Sequence, residues 1–507
     1  MIMKKPSISV LSILIFMNIN LNTSAQIPEL KLFINNTDIG DVEHPGSAKY
    51  DENEQVYAVR GSGANIWFDH DEFHFTYRKI KGDFIARTRL QFTGQGVDPH
   101  RKAGWMIRQN LDNDAAHASA AIHGDGLTSL QYRPAKGEMM QEIKSVAKGP
   151  DVIQFVRTGN KFAMQVAHVG EAFQEMQEIE LELGDNVYIG LFVCSHNEQV
   201  TEEAVFTNTR IIVPAGQDLI PYQDFLGSNL EIMDVTSGHR KIVYQHPQSI
   251  QAPNWRPDNS ALIYNHDGLL YDFSLSTFQP AQINTGFAVS NNNDHVLSFD
   301  GKWLGISHHN KDLNGKSTIY VLPSKGGTPE QVTTKAPSYL HGWSPDNQWL
   351  TYTGGRHGNY DIYKIPAGGE DEVRLTNAEG LDDGSEYSPD GKYIYFNSNR
   401  TGTMQIWRMK PDGSGQKQLT FDEYNDWFPH ISPDGKWIAF ISYMPEVPSG
   451  DHPFYKHVYL RLMPYPAGEP KVIGYVYGGQ GTINVPSWSP DSKKISFVSN
   501  SDELPTW

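Results

Sequence analysis

A single cysteine in 507 residues, Cys194, leaves the chain without an intramolecular disulfide. Set within Leu191-Phe192-Val193-Cys194, it reads as a small core residue rather than a reactive thiol. Positive charge is also scarce. Lys and Arg number 42 against 59 Asp and Glu, and a formal net charge of −17 argues against nucleic acid or anionic lipid as main partners. Beyond the first 25 residues no apolar run is long enough to span a bilayer. Compact catalytic signatures are missing too: there is no Gly-x-Ser-x-Gly elbow and no His-Glu-x-x-His.

What is present begins with a leader. Lys4 and Lys5, an apolar stretch from Ile8 to Ile19, and Thr23-Ser24-Ala25 have the three regions of a secretory signal over residues 1–25, with Gln26 as the expected mature start. Gln26 rather than a cysteine stands directly after the cleavage site, so a lipid anchor is not expected, and the reading is a periplasmic or secreted protein.

The dominant feature is a turn that returns. Arg256-Pro257-Asp258-Asn259, Ser298-Phe299-Asp300-Gly301, Ser344-Pro345-Asp346-Asn347, Ser388-Pro389-Asp390-Gly391, Ser432-Pro433-Asp434-Gly435 and Ser489-Pro490-Asp491-Ser492 recur at steps of 42, 46, 44, 44 and 57 residues. That spacing belongs to propeller blades. Proline presets φ, Asp bonds back to backbone amides, and Gly or Asn accepts the left-handed position, so the tetrapeptide closes a tight hairpin. A β-rich run follows each turn and a second strand pair comes ten to twenty residues later, as in Ile362-Tyr363-Lys364-Ile365 and Ile406-Trp407-Arg408-Met409. One repeat holds four antiparallel strands. Only 16 residues follow Asp491, enough for an inner hairpin, whereas Asn229 to Tyr244 reads as an outer hairpin without an inner one. Joining the two yields six blades and leaves no open edge. The fold class is all-β, with a propeller closed by strands from both ends of the array.

The repeats resemble the TolB-like (PD40-type) propellers of the bacterial periplasm. The likeness is carried by Tyr387-Ser388-Pro389-Asp390-Gly391-Lys392-Tyr393-Ile394-Tyr395-Phe396, then Ser398-Asn399-Arg400 and Gln405-Ile406-Trp407-Arg408-Met409. It implies the six-bladed ring over residues 227–507 and favours a binding role. TolB carries a small α/β domain ahead of its propeller, and this chain has something else there. Such blades also accompany prolyl oligopeptidases, but the hydrolase elbow those enzymes need is missing.

Residues 27–213 lack the repeat and alternate as a β-sandwich, seen in Phe73-His74-Phe75-Thr76-Tyr77 and Val152-Ile153-Gln154-Phe155-Val156-Arg157. The runs Gly82-Asp83-Phe84, Lys102-Ala103-Gly104-Trp105-Met106-Ile107-Arg108 and Leu130-Gln131-Tyr132-Arg133 resemble concanavalin-like (laminin-G-like) jelly rolls of bacterial carbohydrate-active proteins. Trp67 and Trp105 read as core, with stacking on sugar rings as the alternative. Asp69 and Asp71 read as a solvated acidic turn, with calcium ligation as the alternative. Residues 214–226, broken by Pro214, Gly216 and Pro221, read as the linker.

If the Pro-Asp turns lie on one face of the ring, the loops entering each first strand and those joining second to third strands gather on the other. Those loops hold Asp294, His295, His341, Asp383, Glu386, Arg400, Asp426, His430 and His452, the candidate ligand-binding residues. His295 and His341 each stand four positions before the second residue of their turn, which makes them equivalent positions on neighbouring blades. Two readings follow. In the first, the channel mouth docks a peptide, an envelope protein or a glycan. In the second, His295, His341 and His430 hold a divalent metal ion for a carbohydrate lyase or hydrolase, in outline like the oligogalacturonate lyases, with Arg400 or Arg356 pairing a uronic carboxylate and His452 as base.

Overall fold

The computed structural model describes residues 30–174 and 176–505, so the leader at residues 1–25 lies outside the described residues. Strands account for nearly all regular structure; a 3-10 turn at Lys311–Leu313 is the exception among the described residues. In the N-terminal half, period-2 alternation builds two seven-stranded antiparallel sheets. In order across the sheet, the first contains Asn35–Ile39, Phe73–Lys81, Asn186–Cys194, Lys102–Arg108, His117–His123, Thr128–Arg133 and Gln141–Lys144. The second runs Gln177–Glu180, Lys161–Ala167, Val152–Thr158, Phe84–Phe92, Glu202–Ile212, Val56–Gly61 and Ser47–Asp51. Trp105, Ile107 and Leu191 of the first sheet share one apolar cluster with Phe84, Phe155, Met164 and Phe206 of the second. Each such side chain removed from water contributes about 1.5–3 kcal/mol.

Several expectations resolve here. Trp105 is fully buried, as a core residue should be. Trp67 is half-buried with the Lys102 ammonium 5.7 Å from its ring centroid. Cys194 is buried, and burial pushes its thiol up to about 11, which makes it inert. Asp71 corrects both of its readings: it is fully buried and held by Arg133 at 2.7 and 2.8 Å, with Arg108 at 3.6 Å, so its oxygens neutralise guanidinium rather than water or calcium. Asp69 stays exposed beside His70 at 2.9 Å.

Five four-stranded sheets follow, starting at Gln251–Trp255, Asn291–Leu297, Ser338–Trp343, Asp382–Tyr387 and Asn425–Ile431. The repeated turn works as its chemistry requires. In blade four the Ser388 hydroxyl donates to Asp390 Oδ1 at 2.7 Å and accepts from the Tyr393 amide at 3.0 Å, while Asp390 Oδ1 also accepts from the Lys392 amide. The fourth turn residue takes a positive φ throughout, 69° at Gly391 and 60° at Ser492. The sixth sheet is stitched. Gly227–Asp234 pairs with Arg240–His246 on one side and with Lys494–Ser501 on the other, and a bridge from Trp488 to Ile495 supplies the inner contact.

Blade five and the closing blade lie against the N-terminal sheets. Arg210 and Glu231 form a buried ion pair at 2.7 Å, Gln55 exchanges two hydrogen bonds with the Ile242 backbone, and Phe173 packs on Tyr475 with ring centroids 4.5 Å apart. Residues 214–226 are part of this contact rather than a free tether: the Ala215 and Leu226 amides donate to the hydroxyls of Tyr477 and Tyr455.

Candidate functional site at the channel mouth

A cavity of about 1100 Å³ opens on the face where the entering loops and the second-to-third loops meet. Of the nine candidate residues, Asp294, His341, Asp383 and His452 line it. His341 Nε2 lies 2.9 Å from Asp383 Oδ1, which also accepts from the Thr353 hydroxyl at 2.5 Å and the Gly384 amide at 2.8 Å. His452 Nδ1 meets Gln480 Oε1 at 2.7 Å and its ring stands edge-on to Trp427 at 4.5 Å. Asp294 accepts from the Asn292 side-chain amide at 2.7 Å.

These groups set one another's protonation. Burial opposes ionisation of Asp383, but the neighbouring His341 and the hydrogen bonds outweigh it and carry the carboxyl down to about 2. Burial likewise opposes protonation of His341, yet Asp383 and Asp294 raise it above the usual imidazole value. At Asp294 burial and the nearby Asp383 charge outweigh the attraction of His341 and the Asn292 hydrogen bond, and its carboxyl is raised.

The other five candidates point elsewhere. His295 is fully buried with Nε2 3.2 Å from the Ile263 carbonyl of the preceding blade, and burial pushes it down to about 4. Glu386 and His430 bind each other at 2.7 Å, while Glu386 also accepts from the Ile431 amide and His430 Nε2 meets the Ile483 carbonyl, locking blades four and five to the chain entering the closing blade. Arg400 is held by Asp382 at 2.6 Å and lies over the Trp407 ring at 4.7 Å. Asp426 is buried against Ser442 and Arg461, and burial raises its carboxyl despite that cation. Arg356 is engaged by Glu372. His295, His341 and His430 therefore do not share a point in space.

The physical reason is a β-bulge in each first strand. Pairing shifts between Asn291 and His295 in blade two, between Leu340 and Gly342 in blade three, between Asp383 and Glu386 in blade four, and between Trp427 and His430 in blade five. His341 is itself the extra residue and is turned into the mouth. His295 has already rejoined the ladder opposite Ile306 and is turned between blades.

The lining also holds residues that a search for titratable groups passes over. Amides dominate, among them Asn292, Asn293, Gln251, Gln480 and Asn484, together with Tyr339, Tyr360 and Phe428. Tyr222, Asp224 and Phe225 come from the segment read as a linker, and Tyr222 packs edge-on to Phe454 at 5.3 Å. Four carboxylates, Asp224, Asp267, Asp294 and Asp383, line the cavity with four histidines, His266, His309, His341 and His452, and no lysine or arginine among the described residues does. Such a mouth favours a ligand rich in hydrogen-bond donors or carrying positive charge.

The ring and its cavity define a β-propeller with an open channel mouth, and comparison with known proteins places it more closely. The TolB β-propeller domain family model matches residues 335–447. An uncharacterized protein of Agrobacterium fabrum is 46% identical over 272 residues, which are 54% of this chain and 92% of the relative. A solved structure from Agrobacterium tumefaciens, provisionally designated TolB, is 45% identical and covers 55% of this chain and 99% of its own, with a TM-score of 0.52. TolB from Acinetobacter baumannii is 16% identical, covers 62% of this chain and 79% of its own, and has a TM-score of 0.38. This chain belongs to the TolB-like β-propeller family.

Proposed function

We propose that this protein is an exported, periplasmic binding protein whose channel mouth captures a segment of a partner polypeptide that presents positive charge. The observation that carries the reading is the cavity of about 1100 Å³ lined by four carboxylates and many amides, with His266, His309, His341 and His452 but, among the described residues, no lysine or arginine. Asp294 and Asp383 are buried, where solvent screens charge less, and the exposed Asp224 and Asp267 add negative charge to the same concave site. The TolB resemblance supports binding rather than chemistry. No helix among the described residues is long and apolar enough to cross a membrane, which fits a leader that directs export. The N-terminal sheets, over residues 27–213, act in this reading as a concanavalin- or laminin-G-like sandwich docked on the ring at 227–507 through the segment 214–226.

The test is calorimetry with synthetic peptides of matched length, one lysine-rich and one aspartate-rich, and with neutral oligosaccharides. The basic peptide should bind, weaken with added salt, and weaken by tenfold or more in Asp294→Asn and Asp267→Asn. Equal affinity for basic and acidic peptides, or variants that bind as wild type, would refute the charge argument. Binding of the oligosaccharides alone would assign the mouth to glycan.

A further inference from the structure

We propose that His123, at the end of a strand of the first N-terminal sheet, and His100 and Asp125, in the adjoining turns, far in sequence from the propeller, form a binding site for a divalent metal ion of borderline softness such as Zn²⁺. Each offers one donor atom, and the three donors lie within 4.8 Å of one another. Around a tetrahedral ion with bonds of about 2.0–2.1 Å, donors stand about 3.4 Å apart. Small rotations close that difference, and His100 and Asp125 are exposed and free to make them.

The backbone beneath them is fixed without metal. The Asp125 amide donates to the Pro99 carbonyl at 2.9 Å and the Gly124 amide to the Arg101 carbonyl at 2.8 Å, so the loop carrying His100 is clamped to the turn carrying Asp125. Asp125 Oδ1 accepts from the Leu127 amide, which leaves Oδ2 for a ligand. His123 supplies the rigid member. It is 5% exposed, and its Nδ1 is buried without a hydrogen-bond partner, a state that costs free energy which ligation would recover. The His100 and His123 rings meet edge to face at 6.0 Å.

A fourth donor stands close by. The His196 ring centroid is 5.5 Å from that of His100, and its Nδ1 is 3.3 Å from Asp98 Oδ1, the carboxylate-backed arrangement that fixes a ligating imidazole. Asp98 Oδ1 also accepts from the His100 amide at 2.7 Å, so one carboxylate positions both loops. The nearby Lys102 ammonium is engaged by Asn65 and the Ile66 carbonyl. Two imidazoles with one carboxylate suit zinc, cobalt or nickel better than calcium or magnesium, which prefer all-oxygen sets.

The experiment uses untagged full-length protein stripped with chelator. Titration with Zn²⁺ by calorimetry, and with Co²⁺ followed by visible absorption, should show one ion per chain, and Zn²⁺ should raise the melting temperature. His100→Ala and Asp125→Asn alter exposed side chains and should leave the metal-free melting curve in place. Each should weaken binding tenfold or more, and the double variant should abolish both the absorption band and the thermal shift, while His341→Ala keeps them. No Zn²⁺ binding by wild type, or binding by the double variant equal to wild type, would overturn the proposal.

Discussion

Replacing Asp383 with asparagine keeps its shape and removes its charge, and so isolates the electrostatics of the mouth. One oxygen of Asp383 accepts from His341, Thr353 and Gly384. The carboxyl falls from 3.8 to about 2 in the fold. Slightly under two pKa units correspond to about 2 kcal/mol of folding free energy. A depressed carboxylate stabilises above its unfolded value and loses that contribution as pH falls toward about 2. His341 shows the same interaction from the other side, and it counts once. Its pKa is raised, so its contribution is complete below 6.5 and is lost as pH rises through the folded value. The pair therefore stabilises most between the unfolded values of Asp383 and His341, 3.8 and 6.5. In that window Asp383→Asn should lower the urea midpoint of the propeller transition, followed by tryptophan fluorescence, by the equivalent of about 2 kcal/mol. The deficit should shrink toward both extremes of pH. The His341 imidazole, assigned by comparison with His341→Ala, should then titrate below 6.5 instead of above it. An unchanged midpoint, or a deficit that does not vary with pH, would refute the reasoning.

Deleting residues 229–245 removes the strands that seal Lys494–Ser501, and should give aggregation or loss of a cooperative melt by calorimetry. Arg210→Ala leaves the buried Glu231 with Arg240 at 3.5 Å, and should cost about 3 kcal/mol while separating the melting of the two halves into distinct transitions. His295 is held neutral to about 4, so the unfolded chain binds its proton first and stability declines as pH falls from 6.5 toward that value. His295→Leu should flatten that limb of the stability profile, measured by denaturant midpoints across pH, without reducing peptide binding at the mouth.

The propeller was legible because its signal is local and repeated. A Ser-Pro-Asp-Gly turn carries its own hydrogen bonds, as Ser388 and Asp390 show, and six turns of this kind, two of them with that very sequence, leave little freedom at blade spacing for the strands between them. Closure followed from counting strands, since Asn229 to Tyr244 had no inner partner other than the chain after Asp491. The contact between the halves was not legible in this way. It rests on pairs such as Arg87 with the Tyr475 carbonyl, hundreds of residues apart, and on Tyr455 and Tyr477 capping amides of a segment whose prolines signal only a break in pattern.

At the mouth, topology brings the entering and second-to-third loops to the face that carries the cavity, but counting does not tell which of their side chains line it. Counting back from the turn makes His295 and His341 equivalent, and an unbroken strand would keep them so. The bulge breaks that equivalence, because it is His341 itself in blade three and the residues before His295 in blade two. Period-2 reasoning survives only up to an inserted residue, and no composition rule marks where the insertion falls. Backbone conformation does mark it: Gly384, Phe428 and Ala252 sit at positive φ within the bulged stretches of three blades. A glycine at such a place is visible in sequence, whereas a phenylalanine or alanine forced there by the surrounding ring is not. The side chains that line the cavity are therefore those whose phase the bulges set: His295, Glu386 and His430 became interblade locks for the same reason that His341 and Asp383 line the mouth.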